Sequence, residues 1–340
     1  MRKLVILLIL SLHLTLVIPG SLLDAADFNK VAQSGFKFTD IGLSARAAGM
    51  GEAFTLIGDD ANAIFYNPAG IAQMQEGSVD FTFGMVNWIA DIKLNAFGFV
   101  GNLGAWGNVG VSFFNIDYGV SEGAIYDPVS ETGYTETGPL DLGAYAAGVS
   151  YARRLTEKFM LGGNVRYAYE HLGSTQFASN PERDSIWEIK NEAGSVVWDM
   201  GTIFYPGFKS FRFGMCIVNF ATDLRYAFKE GRTNSFTTPL TFKMGAAMDI
   251  LDLLGDYPGY SFLVNFELVH PRDYAKRYHL GGEFGILKTL KLRGGYKFGY
   301  DEEGFSFGAG IDAGYVKLDY SYSEFGVFDF VNRVSCGISF

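Results

Sequence analysis

Apolar and polar residues alternate in short segments along most of the chain from Gly77 onward. The segment 79–85 is typical, because its odd positions hold Val, Phe, Phe and Met while its even positions hold Asp, Thr and Gly. A period of two predicts β-strands with one apolar and one polar face, and about 14 segments meet this criterion. They begin near Gly77, Ile92, Trp106, Leu140, Lys158, Gly194, Ser210, Pro239, Tyr260, Arg277, Thr289, Phe305, Tyr315 and Arg333.

The connections between these segments alternate in length. Short connections contain residues 101–105, 154–157, 206–209, 287–288 and 313–314, and long ones contain residues 117–139, 170–193, 222–238, 270–276 and 323–332. Short turns on one side and longer loops on the other are typical of outer-membrane barrels, so we predict an all-β fold, a membrane-spanning antiparallel β-barrel of about 14 strands. A soluble β-sandwich is the alternative, but it does not explain why the connections alternate.

Residues 27–76 lack this alternation and are rich in Ala, Gly and Asn. A barrel of 14 strands has a diameter of roughly 28 Å, which is too wide for side chains alone to fill. We therefore predict that residues 27–76 fold into the lumen as a hatch or plug, and that residues 77–340 form the transmembrane barrel.

Two short helices are expected within the hatch. The first lies in residues 45–54. The second covers residues 61–65, with Asp59 or Asp60 as its N-terminal cap and Pro68 as its end.

The beginning of the chain has the pattern of a secretory signal peptide. Arg2 and Lys3 precede an apolar stretch over residues 4–16, and a Pro-Gly pair follows it. We place this signal peptide at residues 1–26; an uncleaved membrane helix is the alternative, but the stretch is short for one. No later apolar run reaches spanning length, which leaves a secreted soluble protein or a β-barrel.

The composition agrees with a barrel. Gly contributes 43 of 340 residues and aromatic residues 16%, as expected for many short strands and tight turns. The formal net charge is −10, and removal of the signal peptide makes it −11, because two positive charges and one negative charge are lost. An acidic balance argues against nucleic acid as a partner.

Chemistry-bearing residues are sparse. Cys216 and Cys336 fall on the seventh and the fourteenth predicted strand, on opposite sides of the barrel, so we expect no disulfide between them. The acidic loop 117–141 matches no calcium-binding spacing. Only His171, His270 and His279 follow the signal peptide, and no catalytic or phosphate-binding motif is present. We therefore expect no enzyme, no cofactor and no metal site.

The last strand ends on an alternating apolar pattern. Val334, Ile338 and Phe340 share one face with Cys336. This resembles the C-terminal assembly signal of bacterial outer-membrane proteins, which ends on Phe. The resemblance implies localisation in the outer membrane, with outer-membrane lipid and the barrel assembly machinery as partners.

A motif of small residues, Asp and Asn occupies the predicted hatch. Residues 44–54 read SARAAGMGEAF, residues 58–63 read GDDANA and residues 65–70 read FYNPAG. This sequence resembles the FadL/TodX-type superfamily of outer-membrane proteins, and most closely its PorV/PorQ branch. The residues that carry the resemblance are Arg46, Gly49, Gly51, Asp59, Asp60, Asn62, Asn67, Pro68, Ala69 and Gly70.

The resemblance implies a barrel with a hatch and leaves three functions open. The first is a FadL-like barrel that binds or passes a hydrophobic compound across the outer membrane. The second is a PorV/PorQ-like component of type IX protein secretion, which would hold a secreted client protein at its outer loops. The third is a purely structural barrel.

Charged residues on the polar faces of the strands point to the lumen. Opposite charges on neighbouring strands can pair, so we expect a polar network that holds barrel and hatch together or steers the head group of a ligand. Its predicted members are Arg166, Asp199 and Arg212 on consecutive strands and Lys243, Glu267, Glu283 and Arg293 on the next set.

Overall fold

The computed structural model describes residues 33–127, 129–178, 186–227 and 233–340. The predicted signal peptide and residues 27–32 of the predicted hatch lie outside the described residues. In the described part, no helix is long and apolar enough to cross a membrane.

The strands are numbered in chain order. They are β1 (Val79–Asn87), β2 (Lys93–Asn102), β3 (Asn108–Asp117), β4 (Glu122–Tyr126), β5 (Tyr134–Pro139), β6 (Leu142–Arg154), β7 (Phe159–Ala178), β8 (Ile186–Phe204), β9 (Arg212–Phe220), β10 (Leu224–Ala227), β11 (Thr233–Phe236), β12 (Thr241–Asp249), β13 (Tyr260–Pro271), β14 (Arg277–Ile286), β15 (Leu290–Phe298), β16 (Phe305–Asp312), β17 (Val316–Glu324) and β18 (Phe330–Ser339).

Fourteen of these strands close into one antiparallel barrel. They are β1, β2, β3, β6, β7, β8, β9 and β12 to β18. Each pairs with the strand that follows it in this set, so β3 pairs with β6 and β9 pairs with β12. The last strand, β18, pairs with β1, with Phe83 opposite Cys336, so the ring has no free edge. The predicted fold class and strand number are confirmed.

The barrel wall is apolar outside and polar inside. In β1, Phe83 and Met85 are 45% and 48% exposed, whereas Asp80 and Thr82 are 2% and 3% exposed. Period-two alternation explains this division, because successive side chains of a strand point to opposite faces.

The two ends of the barrel differ in their connections. One end, here called the turn end, has mostly short turns and holds the start of β1 and the end of β18. The other, here called the loop end, has the hairpins β4–β5 and β10–β11. Both hairpins lie in segments predicted to be loops, because their short and mostly polar strands carry no clear apolar face. Strand β8 was predicted to begin near Gly194 and instead begins at Ile186, since it pairs with an equally long β7.

Residues 33–78, here called the N-terminal segment, lie inside the ring. The segment starts at the loop end, where Ser34 forms a parallel bridge with Thr237, and it reaches β1 at the turn end. Its helices are α1 (Ala45–Gly49) and three short 3-10 helices, Lys37–Asp40, Ala61–Phe65 and Pro68–Gln73. A short second α-helix, α2 (Leu251–Leu254), lies in the turn between β12 and β13.

One local prediction within this segment extended a helix too far, and another was wrong. The helix expected in residues 45–54 ends at Gly49, because Gly51 and Glu52 adopt left-handed backbone angles with φ of 64° and 60°. Pro68 begins a helix instead of ending one, since proline fits the first helical position and Asn67 caps it.

Candidate functional site

Lumen-facing side chains of the wall bind the backbone of the N-terminal segment. The Glu267 carboxylate accepts the Thr55 backbone N–H at 2.5 Å and its hydroxyl at 2.9 Å. Asp80 accepts the Ala61 N–H at 2.8 Å. The segment has no strand ladder of its own, so these contacts satisfy backbone groups that would otherwise be buried without partners.

Arg46 is the centre of a buried ionic network between segment and wall. Its guanidinium donates to both carboxylate oxygens of Glu283 at 2.9 and 3.0 Å, and to Asp59 and Asp60 at 2.6 and 2.7 Å. Arg293 also donates to Glu283, at 2.7 Å. The bidentate Arg46–Glu283 contact fixes the helix α1 against β14.

Glycines in the wall allow the segment to approach the strands closely. A Cβ atom at Gly162 would collide with the Pro68–Ala69 peptide, and one at Gly295 would collide with the backbone of Gly51. Even one methyl group would therefore displace the segment from these positions.

The other residues predicted to line the lumen make different kinds of contact. Arg166 pairs with Asp199 at 2.9 Å. Arg212 instead donates to the Leu56 carbonyl at 2.9 Å, because that carbonyl lies beneath it in the segment. The Glu267 carboxylate accepts its hydrogen bonds from Thr55. Lys243 Nζ lies 5.8 Å from the centre of the Tyr66 ring.

The remaining motif residues have structural contacts. Asn67 accepts the Ala69 N–H at 3.0 Å and donates to the Thr55 carbonyl at 2.8 Å. Asn62 accepts the Thr82 hydroxyl at 3.0 Å. Gly49 and Gly70 are buried in close contacts, against Gly308 and Ala63 respectively.

The C-terminal residues face outward. Val334, Ile338 and Phe340 are 49%, 39% and 68% exposed. Phe340 also exchanges backbone hydrogen bonds with Val79 at the closure of the ring. Cys336 is in the same strand, whereas Cys216 is buried in the lumen; both thiols are free, as the strand assignment predicted.

Above the N-terminal segment, at the loop end, lies a cavity of about 480 Å³. One side of it is apolar and largely aromatic, and the other side is charged. The apolar side consists of Phe38, Leu43, Phe65, Trp88, Ile92, Phe114 and Ile116, and the charged side includes the basic residues Lys37, Lys243, Arg277, His279, Lys297 and Arg333 and the carboxylates of Asp40, Glu52 and Glu303. We call it the outer cavity.

Aromatic rings hold the cations of the charged side. The Arg277 guanidinium lies 4.3 Å from the centre of the Tyr274 ring and 4.1 Å from that of Tyr300. His279 Nε2 is 2.8 Å from the Tyr300 hydroxyl, and burial together with the Glu303 charge raises the pKa of that phenol. Among the described residues, neither Lys243 nor Arg277 forms an ion pair with a carboxylate. Neither cation is held by a carboxylate of these residues at contact distance, although the Glu52 and Glu267 carboxylates lie in the surroundings of Lys243.

Sequence reasoning found Lys243 but missed the rest of this side of the cavity. Arg277 and His279 lie on the same face of β14 as the predicted Glu283, so the period-two pattern already contained them. Tyr274 and Tyr300 lie in loops, where periodicity gives no information.

Comparison with known proteins gives a family and a fold. The sequence model of an uncharacterised protein family, UPF0164, matches residues 23–340. No curated protein matches the sequence.

Several solved structures have a similar fold. The CymD monoaromatic hydrocarbon channel superposes with a TM-score of 0.58 at 14% identity, over 88% of this chain and 98% of that one. The Ralstonia pickettii toluene transporter TbuX gives 0.56 at 14% identity, over 88% and 97%. A Pseudomonas aeruginosa FadL homologue gives 0.51 at 12% identity, over 88% and 98%. At such identities the similarity establishes the barrel architecture.

Proposed function

The chain belongs to the uncharacterised protein family UPF0164, and we propose that it is an outer-membrane barrel that binds and passes a hydrophobic compound with an anionic end. The outer cavity carries this proposal. Its 480 Å³ lie within the range of small-molecule sites, roughly 300–1,000 Å³, and its two sides match the two ends of such a compound.

The wall supports a membrane location. Large apolar side chains project outward from almost every strand of the ring, as Phe97, Phe113, Met215 and Phe266 do, each more than 40% exposed. A closed barrel with an apolar exterior satisfies its whole backbone within lipid. Outer-membrane lipid is therefore its proposed surrounding, and the outward-facing C-terminal strand supports the assembly machinery as a partner.

The charged side narrows the proposed substrate. The similar structures include a hydrocarbon channel and a toluene transporter, and toluene is a neutral molecule. A neutral aromatic compound would gain only a cation–π contact from Lys243 and Arg277, which form no ion pair with a carboxylate among the described residues. A carboxylate on the ligand would gain charge-assisted hydrogen bonds from them.

Equilibrium dialysis of the purified barrel against decanoate and decanol tests this proposal. Both compounds have the same apolar chain, and only decanoate carries a charge. We expect Lys243→Gln and Arg277→Gln to weaken decanoate binding about tenfold each, and decanol binding much less.

Arg212→Gln is the matched control, because Arg212 also faces the lumen but does not line the outer cavity. Equal binding of decanoate by all four proteins would contradict an anion site in this cavity. Failure of the wild type to bind either compound would contradict the proposed function itself.

A role in type IX secretion is a second proposal, and it rests on the resemblance of the N-terminal motif to the PorV/PorQ branch. It predicts that a secreted protein stays bound when the barrel is purified from its own membrane. Transport predicts a small apolar compound instead, and native mass spectrometry separates the two outcomes.

A further inference from the structure

Glu52 lies in the floor of the outer cavity, on the N-terminal segment. Its side chain belongs to the lining of the cavity, and the residue is 7% exposed. Among the described residues, neither carboxylate oxygen forms a hydrogen bond of normal geometry, although the Tyr66 hydroxyl lies beside the carboxylate as a donor. The nearest cationic atom is Arg333 Nη2 at 3.7 Å, which is beyond hydrogen-bond distance.

The local backbone holds this carboxylate in place at a conformational cost. Glu52 has φ of 60°, a left-handed angle that is uncommon for residues other than Gly, Asn and Asp. Its N–H donates to the Ala47 carbonyl at 2.9 Å, which fixes the turn after α1. Gly42 leaves the necessary space, because a Cβ atom there would collide with the Glu52 carboxylate. Such strain persists only where the surrounding structure demands it, and it is frequent at functional sites.

The surroundings of Glu52 are cationic. Arg333 uses its Nε to bind the Gly42 carbonyl at 2.9 Å and its Nη1 to bind Ser323 at 3.2 Å, while Nη2 faces Glu52. Lys243 lines the same cavity. Burial and the Glu52 charge raise the pKa of the neighbouring Tyr66 phenol, so this phenol keeps its proton and adds no second negative charge beside Glu52.

We propose that Glu52 is a built-in counter-ion of the outer cavity, whose place against Arg333 and Lys243 is taken by the carboxylate of an arriving amphiphile. The inference rests on the proposed function and deepens it. In this exchange the Glu52 side chain turns away from Arg333 as the carboxylate of the ligand arrives, so Arg333 faces one carboxylate before and after binding. The exchange also couples the ligand to the N-terminal segment, because Glu52 belongs to the segment while both cations belong to the wall.

Removing the counter-ion tests the inference. Glu52→Gln keeps the shape of the side chain, and Glu52→Gly suits the left-handed backbone angle. Both variants lack the competing charge, so we expect each to bind decanoate roughly 3- to 10-fold more tightly than the wild type, with decanol binding unchanged. Heat-modifiable migration on a gel shows that the barrel of each variant has folded.

Asp91 provides matched controls. It is an exposed carboxylate at the same end of the barrel, it also has φ of 60°, and it does not line the cavity. Asp91→Asn and Asp91→Gly should leave decanoate binding as in the wild type. Decanoate binding that is unchanged or weaker in both folded Glu52 variants overturns the inference, and so does an equal gain in the Asp91 variants. Absence of binding of decanoate and decanol by every protein refutes the proposed function instead.

Discussion

The wall of the barrel and the N-terminal segment satisfy their backbones in opposite ways. Each wall strand pairs with two neighbours in regular register, as Phe83 pairs with Cys336 across the closure of the ring. The segment depends on side chains of the wall, for example on Ser335 Oγ, which accepts the Ala45 N–H at 2.8 Å. We therefore expect the wall to form without the segment, whereas the segment needs the wall for the backbone groups that its own short helices and turns leave unpaired. The predictions below test this asymmetry.

The largest effect is expected from removing the segment. Deletion of residues 27–70, with the signal peptide kept, should leave a closed barrel, because every ladder of the ring begins after residue 78. It should also open a water path, since the wall alone encloses a lumen roughly 28 Å across. Planar-bilayer conductance of the deleted and the intact protein measures this.

Heat-modifiable migration of the deleted protein is the control for closure. If both proteins conduct alike, the segment does not block the lumen. If the deleted protein fails to close, the wall depends on the segment as much as the segment depends on the wall.

A smaller effect is expected when the ionic anchor of the segment is removed. Arg46→Met leaves Glu283 and Asp60 buried beside one another with less compensation, which costs about 3–5 kcal/mol. The segment should loosen while the ring persists. Cys216 reports this, because its thiol is buried against the Tyr66 carbonyl at 3.5 Å. In a Cys336→Ser background, a water-soluble thiol reagent should modify Cys216 faster in the Arg46→Met variant.

Arg212→Met is the comparison for this experiment. Arg212 also joins wall and segment, but through one hydrogen bond to the Leu56 carbonyl, whose loss costs about 1–3 kcal/mol. An equal or larger acceleration by Arg212→Met would show that the Arg46 network is not the principal anchor.

The same asymmetry decides what could be predicted from the sequence. Period-two alternation identifies the strands of the wall. Their number, their order and the direction in which each face points could therefore be predicted from residues such as Phe83 and Asp80. The segment has no period. The turn at Glu52 and the position of Pro68 depend on glycines of the wall that are distant in the chain, such as Gly162. Only local caps such as Asp60 were foreseeable.

The outer cavity contains residues that the sequence could predict and residues that it could not. Lys243 was predicted from a polar strand face, and Arg277 could have been found in the same way. The role of Glu52 could not, because its neighbours Gly42 and Arg333 meet it only through the fold.

A third prediction concerns two adjacent glycines that face opposite sides of β7. Gly162→Val should displace the Pro68–Ala69 peptide and cost about 1–3 kcal/mol through overpacking. At Gly163 a Cβ atom would meet only the Asp199 carbonyl, at 3.7 Å, so Gly163→Val should have little effect. Thiol modification of Cys216 compares the two variants. Equal rates would show that close approach to the wall at Gly162 does not position the segment.

The smallest effect is expected from single hydroxyl groups of the wall. Ser335 Oγ and Ser306 Oγ accept the backbone N–H groups of Ala45 and Gly51 at 2.8 and 2.9 Å. Ser335→Ala leaves the buried Ala45 N–H without its partner, which costs about 1–3 kcal/mol, with the lower end expected for these neutral groups. Ser306→Ala should cost less, because the Gly51 N–H also donates to the Ala48 carbonyl at 3.0 Å. Ser321 is an equally buried serine of the wall whose hydroxyl has no hydrogen-bond partner among the described residues, so Ser321→Ala is the control. We expect Ser335→Ala to accelerate modification of Cys216 by a few-fold, Ser306→Ala to accelerate it less, and Ser321→Ala to leave it unchanged. If all three behave alike, hydrogen bonds from the wall do not hold the segment, and its position depends on the ionic network and on close packing alone.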